Sequence, residues 1–297
     1  MKILRIAAAA VCAALLLTAC GDEIGAPPEK TTAPPVDTAP VREDYPVSFG
    51  DESFDSAPAT VASLSPSLTE ILFEIGASDR LVGVSDYCDY PEAAENLAKL
   101  GSPAKPDIDA IADLAPELLV TQSPIAETDL LRLRQAGTRV LNFEQPATFA
   151  MLCDEYLKLS MIFYGVNDCG DVYTSAVSGL DGALTSAQNL GISKTFVIVE
   201  AVSGEGLMLS TSRSLSAGLL SVFGYNLWSE SESFYASAEE LYELAPDVVF
   251  CGSDIDRDDI RKHFPYADII KLDLERFERP SARLEEVISS CADELSQ

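Results

Sequence analysis

The sequence predicts an α/β protein made of two similar lobes, each with a mostly parallel sheet, joined by one long helix. Three observations carry this prediction. The first folded segment alternates strand, helix and strand, which is typical of a βαβ unit with parallel strands. A helix–proline–strand pattern that starts near residue 112 recurs near residue 242. Residues 148–190, between these two halves, have helical character.

The opening unit begins with a short β-type run at Thr60–Leu64. Ser67 and Glu70 then have the S-x-x-E spacing of a capping box, which predicts that Ser67 caps the next helix. The apolar residues that follow have the spacing of one helix face: Leu68, Ile71, Leu72 and Ile75. Gly76 suits the end of this helix. Leu81–Ser85 is the next predicted strand.

The rest of the first half continues to alternate between helix and strand. The predicted elements are a helix at Asp107–Ala115, a strand at Glu117–Thr121, a helix at Thr128–Ala136 and a strand at Arg139–Phe143. Regular alternation of this kind favours a mostly parallel sheet.

The second half repeats part of the first. Ala112–Val120 reads ADLAPELLV, and Tyr242–Phe250 reads YELAPDVVF. In both segments a helix ends at Leu-Ala-Pro, an acidic residue follows, and three apolar residues begin a strand. Ser214–Gly224 also resembles Ser67–Gly76 in its apolar spacing. Coincidence explains either match alone, but two matches in the same order favour a duplicated architecture.

The segment between the halves is predicted to be helical. Gly165–Asp168 indicates a turn, and Asp168–Leu190 indicates one long helix in which Gly179 and Gly182 lower the helix propensity. We therefore expect three parts in the folded chain, namely an N-terminal lobe at residues 58–146, connecting helices at 147–190 and a C-terminal lobe at 191–297.

The N-terminus is typical of an export signal. Lys2 and Arg5 precede an apolar stretch that runs from Ile6 to Leu17. The following Thr-Ala-Cys resembles the lipobox of bacterial lipoproteins, which implies removal of residues 1–19 and a lipid anchor on Cys20 at the extracytoplasmic face of the cell membrane. An ordinary signal peptide is the alternative. Residues 20–57 are rich in proline, threonine and acids, and we expect them to form an unpacked tether.

Composition excludes several functions. The chain has 20 Lys and Arg against 48 Asp and Glu, a net charge of −28, which disfavours nucleic acid as a partner. Its single histidine excludes a metal site built from several imidazoles. No G-x-S-x-G or P-loop motif occurs, so we expect neither an enzyme nor a bound metal or cofactor. The five cysteines after Cys20 are expected to be mostly small core residues.

Two motifs and the C-terminus resemble a known family. Val61–Glu70 reads VASLSPSLTE, Leu81–Pro91 reads LVGVSDYCDYP, and Phe277–Arg279 precedes a final amphipathic helix. These features resemble the helical-backbone substrate-binding proteins of ABC importers, a group that serves vitamin B12, haem and ferric siderophores. Within the group, the similarity is greatest to the vitamin B12-binding proteins. It spans residues 58–297.

The resemblance implies a partner and a place for the ligand. The partner is an ABC permease dimer with its ATPase subunits, and the membrane is contacted only through the lipid. Cobalamin or a ferric siderophore would lie in the cleft between the lobes, which closes little. Tyr87 matches an aromatic residue of the B12 branch. The other residues expected at or beside the cleft are Met208, Arg213, Phe234, Tyr235, Glu275 and Arg279.

The sequence leaves the ligand open. Where the B12 branch has tryptophans, this chain has Pro103, Gln122 and Ser233. Three arginines on one cleft would suit an anionic ferric siderophore: Arg213, Arg276 and Arg279. Haem would need an axial ligand, for which His263 and Met208 are the candidates.

Two acidic residues occupy equivalent positions in the two halves. Asp109 and Glu239 fall in the first turns of the predicted helices that end at the repeated Leu-Ala-Pro. The resemblance implies that this pair docks onto arginines of the permease. Acids also favour helix N-termini through the helix dipole, which is the alternative explanation for either residue.

Overall fold

The computed structural model describes residues 44–297. The predicted signal peptide, Cys20 and the tether as far as residue 43 lie outside the described residues. In the part that is described, no helix has both the length and the apolar character needed to cross a membrane.

The described chain begins with a packed hairpin, not with a tether. Strand β1 (Val47–Phe49) pairs antiparallel with β2 (Glu52–Phe54). Val47 and Phe54 are buried, and the Arg139 guanidinium lies 4.4 Å from the centre of the Phe54 ring. The prediction of an unpacked segment up to residue 57 is therefore wrong from residue 44 onward. Three-residue strands are too short to give a periodic signal among prolines and acids.

The N-terminal lobe contains seven further strands among the described residues. They are β3 (Val61–Ser63), β4 (Leu81–Val84), β5 (Ala98–Lys99), β6 (Gly101–Ser102), β7 (Lys105–Pro106), β8 (Leu118–Thr121) and β9 (Arg139–Asn142). Strands β6 and β7 form an antiparallel hairpin. The others form one parallel sheet in the order β5-β4-β3-β8-β9.

Helices connect these strands, as the alternating pattern predicts. They are α1 (Pro66–Glu74), α2 (Glu92–Glu95), α3 (Ile108–Leu114) and α4 (Glu127–Gln135), with a 3₁₀ turn at Ser78–Arg80. The predicted strands and helices of this lobe are confirmed to within one or two residues at their ends. The short α2 was not predicted.

The cap of α1 lies two residues before the predicted one. Ser65 is the N-cap, its Oγ accepts a hydrogen bond from the backbone N–H of Leu68, and Pro66 occupies the first turn. A proline is favourable there because the N–H groups of the first turn have no acceptor within the helix, so its lack of an N–H costs no hydrogen bond. Glu70, which the capping box would use, instead binds Arg283. The capping-box prediction is therefore wrong.

The connecting segment α5 (Phe149–Asn189) is two helices joined at one residue. Gly165 adopts φ 77° and ψ 179°, a conformation that favours glycine. A Cβ at this position would also lie 2.4 Å from the Cβ of Asp44. The predicted turn is thus reduced to Gly165, and the long helix predicted at Asp168–Leu190 is confirmed.

The C-terminal lobe is built on a mixed sheet. Its strands are β10 (Lys194–Ser203), β11 (Gly206–Leu209), β12 (Gly224–Asn226), β13 (Tyr235–Ala236), β14 (Val248–Gly252) and β15 (Asp268–Leu272). Strands β12, β14 and β15 run parallel with β10, whereas β11 is antiparallel to both β10 and β13. The helices are α6 (Leu215–Leu220) with a 3₁₀ turn at Ser221–Phe223, α7 (Ala238–Tyr242), α8 (Arg257–His263), α9 (Glu275–Glu278) and α10 (Leu284–Leu295).

The predicted repeat corresponds to equivalent structure. Helix α3 leads into β8, which pairs with β3, the first strand of its sheet. Helix α7 leads into β14, which pairs with β10, the first strand of the second sheet. In both lobes the strand after the helix lies parallel to the first strand of the sheet. The sequence repeat therefore reflects one supersecondary unit used twice. The predicted α/β fold with two similar lobes and a long connecting helix is confirmed.

A buried ion pair ties the C-terminal segment to α1. The Glu70 carboxylate accepts hydrogen bonds from the Arg283 guanidinium at 2.6 Å and 2.8 Å and from Ser281 at 2.7 Å. Glu70 is 1% exposed. The Arg283 guanidinium also lies 3.7 Å from the centre of the Tyr90 ring. Because α10, which follows Arg283, packs on α5, this contact joins the first helix of the N-terminal lobe to the end of the chain.

The cysteines of the described chain belong mostly to the core. Cys88, Cys169, Cys251 and Cys291 are buried, Cys153 is half-buried, and none of the five forms a disulfide. This confirms the prediction that most of them are small core residues.

Candidate functional site

The carboxyl ends of the parallel strands from both lobes border a common cleft. One part, of about 400 Å³, is lined mainly by loops that follow β3, β4 and β8. The adjoining part, of about 320 Å³, is lined by the start of α6 and the segment that follows β15. Gln145 and Glu278 line both parts. In α/β proteins, ligands bind where the carboxyl ends of strands converge, so this cleft is the candidate site.

A polar relay runs from the N-terminal side of the cleft, where Ser65 and Gln122 line it, to Glu155 behind it. The Ser65 hydroxyl donates to Oε1 of Gln122, and Nε2 of Gln122 donates to Oε1 of Glu155 at 2.8 Å. Glu155 lies on α5 and is 4% exposed. Burial raises the pKa of this carboxyl to about 8, so it is mostly neutral at pH 7. The relay fixes which end of the Gln122 amide faces Ser65.

Two of the predicted ligand-binding residues lie on the N-terminal side of the cleft. Tyr87 follows β4 and is 56% exposed, so its ring is available for contact. Arg279 also lines the cleft, but its guanidinium donates to both carboxylate oxygens of Asp89, at 2.9 Å and 3.1 Å. Pro103 and Gln122, which stand where the B12 branch has tryptophans, line the same part.

Arg213 is the predicted residue that lies on the C-terminal side of the cleft. It precedes α6 and shares its part of the cleft with Glu200. Arg213 is exposed. Among the described residues, no carboxylate lies within ion-pair distance of its guanidinium.

Four predicted residues are not brought to the lining of the cleft. Met208 and Tyr235 lie opposite each other on β11 and β13, and Phe234 immediately precedes β13. These three side chains form a partly exposed edge of the second sheet. Glu275 lines a neighbouring cavity of about 270 Å³ together with Tyr90 and Arg276, and Arg279 lines both this cavity and the cleft.

The predicted cluster of three arginines does not form. Arg276 donates to Asp273 at 3.1 Å and to Glu286 at 2.5 Å, and it does not line the cleft. Two of the three candidate arginines, Arg213 and Arg279, therefore line the cleft, and Arg276 does not. Two acidic partners, one of them ten residues away on α10, hold Arg276 elsewhere.

His263 lies far from the cleft. It lines a cavity together with Lys194, Asp247 and Asp268, residues at the amino ends of the strands in the second sheet. The cleft lies at the carboxyl ends of the same strands, so His263 is not placed to act as an axial ligand in the cleft. Within residues 44–297, no three His, Cys, Asp or Glu side chains are grouped to hold a metal ion.

Sequence reasoning missed several residues that line the cleft. Gln145 follows the predicted strand that ends at Phe143, and its Nε2 donates to the backbone oxygen of Glu278 at 3.1 Å. A polar residue just after a predicted strand was a usable signal. Glu200 gave no such signal, because it lies within the unusually long β10.

The two predicted docking acids occupy matching positions. Asp109 is the second residue of α3, after the N-cap Asp107, and Glu239 is the second residue of α7, after the N-cap Ser237. Each helix leads into a strand of its parallel sheet, so it runs from the carboxyl ends of the strands back to their amino ends. Its N-terminus therefore lies at the carboxyl ends, where the cleft is. Both acids are exposed, and Asp109 forms an ion pair with Arg132.

The fold and the cleft are those of a two-lobed binding protein, and comparison with known proteins agrees. Residues 61–270 match the family model for periplasmic binding proteins. Because the match covers more than half of the chain, the protein belongs to the periplasmic binding protein family.

Individual relatives and structures support the predicted resemblance. The cobalamin-binding protein of Halobacterium salinarum is 24% identical over 284 residues, covering 84% of this chain and 74% of its own. The vitamin B12 binding protein BtuF of Vibrio cholerae superposes with a TM-score of 0.64 at 21% identity, over 80% of this chain and 97% of that chain. The haem binding protein HutB of the same species superposes with a TM-score of 0.68 at 17% identity, over 80% of this chain and 99% of that chain. At these identities the two structures establish the fold alone.

Proposed function

We propose that this protein is the extracytoplasmic substrate-binding component of an ABC importer for cobalamin or a related corrinoid. It captures the ligand in the cleft and delivers it to a permease dimer with its ATPase subunits. The observation that carries the ligand assignment is the electrically balanced, amide- and hydroxyl-rich lining of the cleft. The protein does not alter its ligand chemically.

The charges of the cleft favour a ligand without strong negative charge. The described lining contains two cations, Arg213 and Arg279, and two anions, Glu200 and Glu278. Arg279 is already neutralised by Asp89. The net charge of −28 on the whole chain adds a repulsive field for anions. A multiply anionic ferric complex would therefore meet few compensating charges.

The uncharged groups of the cleft suit a corrinoid. A corrinoid is an apolar macrocycle edged by neutral amide side chains. The cleft offers the flat ring of Tyr87 for the macrocycle and partly or fully exposed neutral polar groups for the amides: Gln122, Ser123, Gln145 and Ser214. Amides and hydroxyls bind one another through hydrogen bonds without the desolvation cost of a charge.

A ferric siderophore is the second candidate because of Arg213. Its guanidinium is exposed in the cleft and free of ion pairs in the described chain, so it is available to an anionic oxygen. Haem is less well supported, since the chain's single histidine lies at the opposite end of the C-terminal lobe.

Equilibrium dialysis with three ligands tests the assignment. The purified protein is dialysed against equal concentrations of cyanocobalamin, haemin and a ferric tris-catecholate siderophore. We expect selective retention of the corrinoid. Retention of the siderophore with none of the corrinoid would replace the proposal by its alternative, and selective retention of haemin would overturn both.

Replacement of Tyr87 by alanine should weaken cyanocobalamin binding about tenfold, because the ring supplies apolar contact to the macrocycle. Titration of the variant measures the change. Tyr225→Ala is the matched control, since Tyr225 is 55% exposed but lies on β12, at the amino end of the second sheet. Equal affinities in the two variants would remove Tyr87 from the site.

We also propose that Asp109 and Glu239 dock the protein onto the permease. Both are exposed at the cleft end of their lobes, where a membrane protein that receives the ligand must approach. Charge pairs at the rim of an interface orient the partners and accelerate association.

Reversal of both charges tests this role. The double variant Asp109→Lys, Glu239→Lys should reduce cobalamin uptake in cells at least tenfold and leave the affinity of the purified protein intact. Asp113→Lys, Glu243→Lys is the matched control, because it makes the same charge change near the other ends of the same two helices. Uptake that falls equally in the two double variants would reject specific docking.

The final element of the proposal is a lipid on Cys20 as the attachment to the membrane. The support is the hydrophobic run and the Leu-Thr-Ala-Cys ending of the signal, which lie outside the described residues. Cys20→Ser should move the protein from the membrane fraction to the soluble fraction of fractionated cells. Unchanged membrane association in this variant would contradict lipidation at Cys20.

A further inference from the structure

A second cavity lies in the N-terminal lobe and is separate from the cleft. Its volume is about 600 Å³, and it shares no lining residue with either part of the cleft. Four elements line it: the turn of the β1–β2 hairpin, the end of α4, β9 with the residues that follow, and one face of α5. The hairpin thus forms one wall of a cavity at the edge of the first sheet.

The walls of this second cavity are partly apolar. The apolar residues that line it are Phe49, Val140, Leu141, Phe143 and Met151. All of them except Phe143 are only partly buried, so apolar surface remains exposed to the cavity. Covering such surface with an apolar ligand is favourable because it removes apolar area from water.

Carboxyl groups outnumber cations around the cavity. The two basic residues that line it are each paired with an acid, Arg134 with Glu52 at 3.4 Å and Lys158 with Asp154 at 2.5 Å. The acids that line the cavity without an ion pair in the described chain are Asp51, Glu144 and Glu155. The lining therefore has the charge preference of a site for a cation.

Glu155 supplies the buried polar group of the cavity. It is 4% exposed, and while its Oε1 accepts from Gln122, its Oε2 has no hydrogen-bond partner among the described residues. An unsatisfied buried carboxyl oxygen is costly and rare in a native protein. A ligand that offers a charged N–H donor would satisfy it.

We propose that this second cavity binds a small organic cation, an amine carried on an apolar body. The ammonium group pairs with Glu155, and the apolar body covers the exposed parts of Met151, Leu141 and Phe49. On binding, the Glu155 carboxyl loses its proton to the solvent and becomes the carboxylate that faces the ammonium. This site is additional to the corrinoid cleft and does not depend on it.

Calorimetry with a matched pair of probes tests the proposal. The full protein is titrated at pH 7 with tryptamine and with tryptophol, which replaces the amine by a hydroxyl, in two buffers of different ionisation enthalpy. We expect saturable one-to-one binding of tryptamine, at least tenfold weaker binding of tryptophol, and release of close to one proton. Absence of saturable tryptamine binding, or equal affinity for the alcohol, would overturn the proposal.

Two variants assign the effect to this cavity. Glu155→Gln should abolish the proton release and reduce the preference for the amine at least fivefold. Met151→Trp fills the cavity and should abolish tryptamine binding while cyanocobalamin binding at the cleft is retained. Proton release that persists in the first variant, or tryptamine binding that persists in the second, would contradict the assignment. Cyanocobalamin is titrated separately, so either proposed site can fail without the other.

Discussion

Replacement of Arg283 by alanine should lower the free energy of unfolding by about 3–5 kcal/mol, because it leaves the Glu70 carboxylate buried without a charge partner. The guanidinium makes two hydrogen bonds to this carboxylate and stacks on Tyr90. Denaturation by urea at pH 7, followed by circular dichroism, measures the change. The contact joins the C-terminal segment to the first helix, so its loss weakens this attachment.

A second arginine in the same segment is the control. Arg276 forms ion pairs with Asp273 and Glu286, whose side chains are 55% and 71% exposed. Such pairs contribute little, and Arg276 also donates to the backbone oxygen of Arg283 at 3.2 Å, so Arg276→Ala should cost about 1–2 kcal/mol, less than Arg283→Ala. The double variant Glu70→Leu, Arg283→Met removes both buried charges and should recover much of the lost stability. A cost of 1 kcal/mol or less for Arg283→Ala would show that the buried pair does not hold the segment in place.

The second large effect is expected in the pH dependence of stability. Burial raises the pKa of Glu155 to about 8 and that of Glu74 to about 7, from an ordinary value of 4.5. A carboxyl with a raised pKa holds its proton in the folded state after the unfolded chain has lost it. Its favourable contribution is therefore complete below pH 4.5 and is lost as the pH rises toward 7 for Glu74 and 8 for Glu155. Stability should fall across this range.

Glu155→Gln isolates one of the two groups. Glutamine keeps an oxygen for the hydrogen bond from Gln122 but does not ionise, so the variant should be roughly 2–4 kcal/mol more stable than the parent at pH 8 and little changed at pH 5. Urea denaturation at the two pH values measures this difference. The exposed Glu95→Gln serves as the control. An equal effect of Glu155→Gln at both pH values would contradict the assigned titration.

Local patterns made the fold predictable. The strands β3, β4 and β8 and the helices α1, α3 and α4 each have a periodic apolar face or a proline or glycine boundary, which depends only on neighbouring residues. The hairpin of Val47–Phe54 has neither signal, since its burial depends on β9 and α5. The cap of α1 was misassigned because Glu70 has a partner 213 residues away.

The site was predictable where a residue follows directly from a strand or begins a helix. Arg213 was assigned from its place before a helix and Tyr87 from the family resemblance, and both line the cleft. Met208 and Tyr235 were misplaced because their position depends on the antiparallel pairing of β11 with β13, which no local pattern specifies. Arg276 was misplaced because two acids hold it away from the cleft.

Calorimetric titration of the purified protein with cyanocobalamin tests the central claim most directly. We expect saturable binding of one corrinoid per chain. The affinity should fall about tenfold in Tyr87→Ala and stay unchanged in Tyr225→Ala. A flat titration, recorded with protein whose circular dichroism and cooperative unfolding show that it is folded, would contradict the assignment of the cleft to a corrinoid.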